Sequence, residues 1–235
     1  MNAQRLRLID HTLPIAANRD GGASGCTIRR APEQEAGGLF IAGVIESLSL
    51  HGGTHVDAVR HFGGQGPGIS DMPLACFHGP ARLYDLRQGA AARCVIAVDD
   101  LARQGAPQAG EIALLATGWR DRHIGADREF FLTSPSLDPD ACRWLAAHGV
   151  AAVGFDFAAD AVTADVVAGT CDRALTAEDF PSHALLLTDG IALFENLCNL
   201  GAVVGLRAYF MGLPLPLPMA DGSPVRAVSC LSPVL

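Results

Sequence analysis

The strongest constraint on the fold is a series of short apolar runs punctuated by glycine, proline and aspartate. Residues 5–9, 39–50, 81–85, 94–98, 111–117, 150–156, 184–188 and 202–210 are rich in Val, Ile, Leu and Ala and have the length of strands. Between them, residues 99–104 and 138–148 have helical spacing. Each opens at an aspartate suited to cap its first turn, and Gly149 supplies a stop signal for the second. Strands interleaved with helices over 235 residues, 49% of them hydrophobic, predict one α/β domain spanning residues 1–235. Residues 134–156 stand out as a capped helix leading into a buried strand that ends at Asp156, and strand ends are common places for active-site groups. Two Gly- and Pro-rich stretches, 11–38 and 63–79, are long for structureless connections and read as loops over a binding site.

Charge narrows the partners. The net charge is −8 and no run of Lys or Arg is present to neutralise a row of phosphates, so neither nucleic acid nor an anionic membrane is expected. The apolar runs are too short and too often interrupted by charge to span a bilayer, and residues 1–10 carry charges where a signal peptide has none. A cytoplasmic address is expected. Seven scattered cysteines with no Cys-x-x-Cys pair signal neither a disulfide framework nor a thiolate zinc site.

The chemistry concentrates in Ser49-Leu-His51-Gly-Gly-Thr-His55-Val-Asp57-Ala-Val-Arg-His61-Phe62, where three imidazoles and a carboxylate lie close together. On one helix His55 and Asp57 would diverge by about 200°, whereas on extended backbone residues 51, 55 and 57 share a face. Gly52 and Gly53 also disfavour a helix. An extended segment entering a turn, then a helix carrying His61, brings all four groups to one cavity. Any one histidine is more often a hydrogen-bonded structural residue, but four such groups together favour a cation site. Imidazole nitrogen with carboxylate oxygen suits Zn²⁺ or Mn²⁺ rather than Ca²⁺ or Mg²⁺. A second cluster, His183 before a run read as a strand and Glu195 after a Gly-containing turn, offers two further ligands.

The motif His51, Gly53, Thr54, His55, Asp57 and His61 resembles the hallmark of the cyclase family, the metal-dependent hydrolases of the kynurenine formamidase and isatin hydrolase kind. Similarity continues through residues 9–12, 116–119, 135–156, 195–197 and 215–228. The resemblance implies a mixed, barrel-like sheet core with surrounding helices, the family's swivelling β/α fold. It implies His51, His55 and Asp57 as ligands of a first divalent metal, His183 and Glu195 completing that shell or holding a second ion, and His61 as proton donor and acceptor. It also implies a small-molecule substrate and a homodimer or homotetramer. Val59 stands where the family has proline, Arg60 is unusual beside it, residues 13–38 hold no aromatic side chain, and the stretch 158–181 is longer than in the formamidases.

The activity expected of such a site is hydrolysis of an amide-type C–N bond in an N-formyl arylamine, cyclic imide or lactam. A cation would acidify water and polarise the carbonyl while His61 moves protons. Backbone N–H groups around Gly52 to Thr54 would stabilise the oxyanion. A cyclase or dehydratase using the same metal, or a non-catalytic metal-binding protein, are the competing readings, and the imidazole of His61 beside the ligands argues against the latter. Outside the motif, His11 at a strand end is either a substrate contact or a turn hydrogen bond, Asp156 and Asp160 are candidates to orient ligands, and Gly63 to Gly68 lacks the Lys-Ser/Thr ending of a phosphate loop.

Overall fold

A computed structural model describes residues 6–15, 25–30 and 43–231. Expectations for residues 5 and 39–42, and for much of the loop 13–38, lie outside them. Thirteen strands are found among the described residues: β1 Arg7–Asp10, β2 Cys26–Arg30, β3 Gly43–Leu48, β4 His55–Asp57, β5 His78–Asp85, β6 Val95–Ile96, β7 Ile112–Ala116, β8 Ser136–Leu137, β9 Ala152–Phe155, β10 Ala192–Glu195, β11 Ala208–Met211, β12 Gly222–Pro224 and β13 Val228–Leu231. The helices are α1 Val98–Ala102, α2 Trp119–Arg122, α3 Asp127–Thr133, α4 Pro139–Ala147 and α5 Val162–Ala168.

Nine strands form one curled, half-barrel sheet in the order β1-β13-β11-β5-β7-β9-β10-β4-β12. Its centre, β5-β7-β9-β10, is parallel. Antiparallel strands extend it on both sides, with β4 held between β10 and β12. This is the mixed α/β class expected from the sequence.

Each residue of β7 and β9 is buried, as parallel strands covered on both faces should be, which is why their sequences read as unbroken apolar runs. One face packs Leu115, Val153, Phe155 and Leu193 against Cys142 and Leu145 of α4 and against Leu186 and Leu187. The other sets Leu114, Ala152 and Phe194 against Val56, Leu197 and Phe210. Phe194 is fully enclosed, and burying a side chain of that size contributes about 1.5–3 kcal/mol. Gly154 is required in β9, because a Cβ there would meet Leu197 Cδ1 at 2.6 Å and Leu114 Cδ2 at 2.9 Å.

Helix α4 matches its expectation. Asp138 accepts from the backbone N–H of Asp140 at 2.6 Å, Pro139 sits in the first turn, and Gly149 follows the helix at φ 69°. Other elements differ. Residues 184–188 are not a strand: His183–Leu187 is a π-helical turn, since Ala-Leu-Leu-Leu has no β-branched residue and favours helix. The strand comes after Gly190, as β10. In 202–210 the first residues belong to a 3-10 turn, Leu200–Val203, and only Ala208 onward is extended. Of 94–98 only Val95–Ile96 is a strand, with Val98 opening α1. The stretch 11–38 is not all loop, because β2 pairs antiparallel with β3.

Candidate metal centre

The site is built on β4, and the neighbouring strand β10 carries one further member. His55 and Asp57 are two residues apart and share a face of the strand. Glu195 lies directly opposite His55 across the β10 pairing. His51 sits in the turn before β4, so the turn precedes the extended segment rather than following it. Gly53 makes that turn at φ 62°, where a Cβ would lie 2.7 Å from the Leu13 carbonyl oxygen. His61 ends a short 3-10 helix, Val59–His61. His183 begins the π-helical turn, and π turns are frequent at functional sites.

The atoms converge. Asp57 Oδ1 is 2.7 Å from His51 Nδ1 and 3.5 Å from His55 Nε2. Asp57 Oδ2 is 3.7 Å from His183 Nε2. The carboxylate of Glu195 is 3.7 Å from His55 Nε2 and 3.5 Å from His183 Nε2. Two hydrogen bonds point these imidazoles inward. His55 Nδ1 donates to the Gly53 carbonyl at 3.0 Å and His183 Nδ1 donates to Asp160 Oδ2 at 2.5 Å, which leaves each Nε2 facing the carboxylates.

The spacings among His55, Asp57, His183 and Glu195 fit a cation: ligand atoms about 2.1 Å from a tetrahedral ion stand roughly 3.4 Å from one another, near the 3.5–3.7 Å found here, whereas His51 Nδ1 is hydrogen-bonded directly to Asp57 Oδ1. Asp57 Oδ2 is moreover buried without a hydrogen-bond partner among the described residues, and a buried carboxylate oxygen needs a proton or a cation. Within 4.8 Å, His55, Asp57 and Glu195 present one possible ligand group and His51, Asp57 and His61 another, with Asp57 common to both.

The electrostatics agree. Burial alone would raise the Asp57 carboxyl, but His55, His51, His61 and His183 hold it well below the usual carboxylate range. Burial and the neighbouring Asp57 push Glu195 up, as expected of two carboxylates sharing a pocket. The site is graded: His55 and Asp57 are 3% and 1% exposed at its floor, while the side chains of His51 and His61 are 29% and 30% exposed at its mouth. The cluster therefore opens to solvent on the side of His51 and His61.

Other expectations separate here. The Thr54 N–H donates to the Leu13 carbonyl at 3.0 Å and the Gly52 N–H to the Ser49 carbonyl at 3.4 Å, so neither is free for an oxyanion. His11 is buried outside the cavity, bonded to Ser229 Oγ at 2.8 Å and the Cys198 carbonyl at 3.1 Å, which is the structural alternative. Asp160 does orient a cavity residue. Asp156 instead organises the Thr117 turn, accepting from Thr117 Oγ1 at 2.5 Å and the Gly118 N–H at 2.6 Å. The Arg60 guanidinium ties down the glycine loop through the Gly66 carbonyl at 3.2 Å. Asp221, given no role from sequence, reaches both His51 and His61. Its one sequence signal is its place within the similarity stretch 215–228.

A curled α/β half-barrel with imidazoles and carboxylates clustered about β4, one strand in from the sheet's edge, defines a candidate metalloprotein of the kind the motif implied. The cyclase family model matches residues 14–161, more than half of the chain, and the chain belongs to that family. Curated relatives include the kynurenine formamidases of Geobacillus thermodenitrificans, 32% identical over 77% of this chain and 76% of theirs, and of Salinibacter ruber, 33% identical over 77% and 76%. Among solved structures, an isatin hydrolase bound to the product analogue thioisatinate superposes with a TM-score of 0.79, covering 97% of this chain and 93% of that one at 22% identity. The isatin hydrolase A of Ralstonia solanacearum gives 0.74 over 97% and 92%, also at 22% identity, so the likeness to both is one of fold.

Proposed function

We propose that this chain is a metal-dependent hydrolase of amide-type C–N bonds, acting on a small N-formyl arylamine, cyclic imide or lactam. The observation that carries the reading is the convergence of His51, His55, His183 and Glu195 on the buried carboxylate of Asp57, whose Oδ2 has no hydrogen-bond partner among the described residues. The kynurenine formamidase relatives supply the bond type. His51, His55, Asp57, His183 and Glu195 would hold one or two divalent ions, Asp57 being common to both possible ligand groups. Zinc and manganese suit this nitrogen and oxygen set.

When bound, the cation supplies the acidification of a water and the polarisation of the carbonyl under attack. The chain's own residues do the rest. Asp57 and Glu195 offset the cation's charge in a pocket largely closed to solvent. His61, at the mouth, takes a proton as water attacks and returns it to the departing nitrogen. A cytoplasmic location fits seven cysteines that all stand as free thiols. No helix among the described residues is long and apolar enough to cross a membrane.

The test is elemental analysis of protein purified without chelators, followed by assay of the metal-loaded protein on N-formyl arylamines, cyclic imides and lactams. Bound zinc or manganese with turnover that chelator abolishes and metal restores is expected. Full activity in a metal-free preparation would overturn the reading.

A further inference from the structure

Asp221 is remote in sequence from the metal motif yet lies against it, because β12 pairs with β4 and sets Gly222 opposite Asp57. The Ala58 N–H donates to the Asp221 carbonyl at 2.8 Å and fixes the backbone there. Asp221 Oδ2 is 3.0 Å from His61 Nδ1 and 3.2 Å from His51 Nε2, and the two imidazoles lie side by side with centroids 4.1 Å apart and planes tilted by 33°. A carboxylate only accepts, so each ring nitrogen facing Asp221 carries a proton.

The consequence differs for the two rings. A cation taken between His51 and Asp57 needs the lone pair of His51 Nδ1, which faces Asp57 Oδ1 at 2.7 Å. Because Asp57 Oδ1 also only accepts, Nδ1 carries a proton in the metal-free site; once a cation displaces that proton, the one Asp221 holds on Nε2 leaves His51 as the neutral, metal-binding tautomer. In His61 the same oxygen selects hydrogen on Nδ1 and leaves the Nε2 lone pair for the proton of an attacking water.

We propose that Asp221 is a positioning residue whose single carboxylate oxygen fixes His51 in its metal-binding tautomer and His61 in its proton-accepting one. The inference rests on the metal-hydrolase reading and adds a residue to it. A metal ligand and a proton shuttle are thereby oriented by one group at the mouth of the site.

The experiment compares zinc-loaded wild type with Asp221→Ala and Asp221→Asn in three measurements: long-range proton–nitrogen correlation spectra of the imidazoles, zinc affinity by competition with a chromophoric chelator, and kcat and KM on an N-formyl arylamine. In Asp221→Ala the expected results are loss of the single-tautomer signature of His61, zinc binding at least tenfold weaker, and a fall in kcat exceeding any change in KM. Asp221→Asn, which keeps one acceptor oxygen and nearly the same shape, should fall between the two and carries the same readouts if the alanine variant fails to fold. Unchanged tautomers and zinc affinity would overturn the proposal, as would loss of a whole zinc equivalent, which would make Asp221 a ligand. Should wild type hydrolyse no N-formyl arylamine, the spectra and zinc affinity still decide the role of Asp221 while the substrate assignment falls alone.

Discussion

The Nδ1–H of His183 donates to Asp160 Oδ2 at 2.5 Å, and this contact decides which nitrogen His183 turns toward Asp57 and Glu195. Asp160 is 2% exposed and its other oxygen accepts the backbone N–H of Ser182 at 2.8 Å. One buried carboxylate therefore anchors both the start of the helical turn and the imidazole it carries.

Replacing Asp160 by Asn leaves a single acceptor oxygen for two donors. Metal affinity should fall about 10–100-fold, the usual cost of losing a group that orients a ligand, while the circular dichroism spectrum stays native. Equilibrium dialysis against buffered zinc measures it. Affinity within twofold of wild type would remove Asp160 from the site.

His61 and Asp57 should separate cleanly. Asp57→Ala removes the carboxylate common to both ligand groups and should abolish metal binding and turnover together. His61→Ala should keep its metal and lose about 10²–10⁴-fold in kcat, the range for a proton-transfer group. Metal content measured beside kinetics distinguishes the two, and a His61→Ala protein with wild-type kcat would refute the shuttle.

The pH dependence follows from His51 and His183. Burial opposes their charged forms, yet hydrogen bonds and charge from Asp57 and Asp221 raise His51 to about 9, and Asp160, Glu195 and Asp57 raise His183 to about 9. Both values exceed the ordinary 6.5. In the metal-free protein these imidazoles contribute stability that is fully present below pH 6.5 and lost as pH rises through about 9. A cation competes with the same protons, so metal affinity should move the opposite way and strengthen across that window. The gap in melting temperature between loaded and metal-free protein should therefore widen from pH 6 to 9. A constant gap would contradict the assignment of both ligands.

How far the sequence leads depends on the range of the interactions involved. His55 and Asp57 were legible as neighbours on one face because strand periodicity is local and the glycines at 52 and 53 exclude a helix. The Asp138 cap and the Gly149 stop were legible for the same reason. His183 was found but put on the wrong element, since a short Ala-Leu run packs equally well in either geometry and only its burial against α4 decides. Asp221 had no local signal for its role, which arises when β12 adds itself to β4. The oxyanion expectation failed at Gly52 and Thr54, because the Ser49 carbonyl takes the Gly52 N–H and the Leu13 carbonyl, distant in sequence, takes the Thr54 N–H.

Phe180 stands beside His183 and is expected to meet the ring of an N-formyl arylamine substrate. It belongs to neither buried core, is half-buried, and stands edge-on to His183 with ring centroids 6.4 Å apart at 88°. It comes from the long stretch 158–181, while residues 13–38 offer no aromatic alternative. An aromatic contact is worth about 0.5–1.5 kcal/mol, so Phe180→Ala should raise KM for an N-formyl arylamine about 2–12-fold. KM for an N-formyl alkylamine should not move. Equal effects on both would show that Phe180 only supports the fold.

Gly222 tests whether the β12 strand must approach the site so closely. A Cβ at this position would lie 2.7 Å from His51 Cε1 and 3.0 Å from the Val56 carbonyl oxygen, so Gly222→Ala forces the imidazole to turn away from both Asp57 and Asp221. Overpacking of this kind costs about 1–3 kcal/mol in stability. The sharper effect should be on metal binding, at least tenfold weaker, because His51 loses its orientation while β12 keeps its pairing with β4. Gly89→Ala is the matched control: its nearest neighbour, the Leu86 carbonyl oxygen, is 4.0 Å from the added Cβ, and both stability and metal affinity should stay near wild type. If Gly222→Ala bound zinc as tightly as that control, the crowding of His51 by β12 would have no part in holding the ligand.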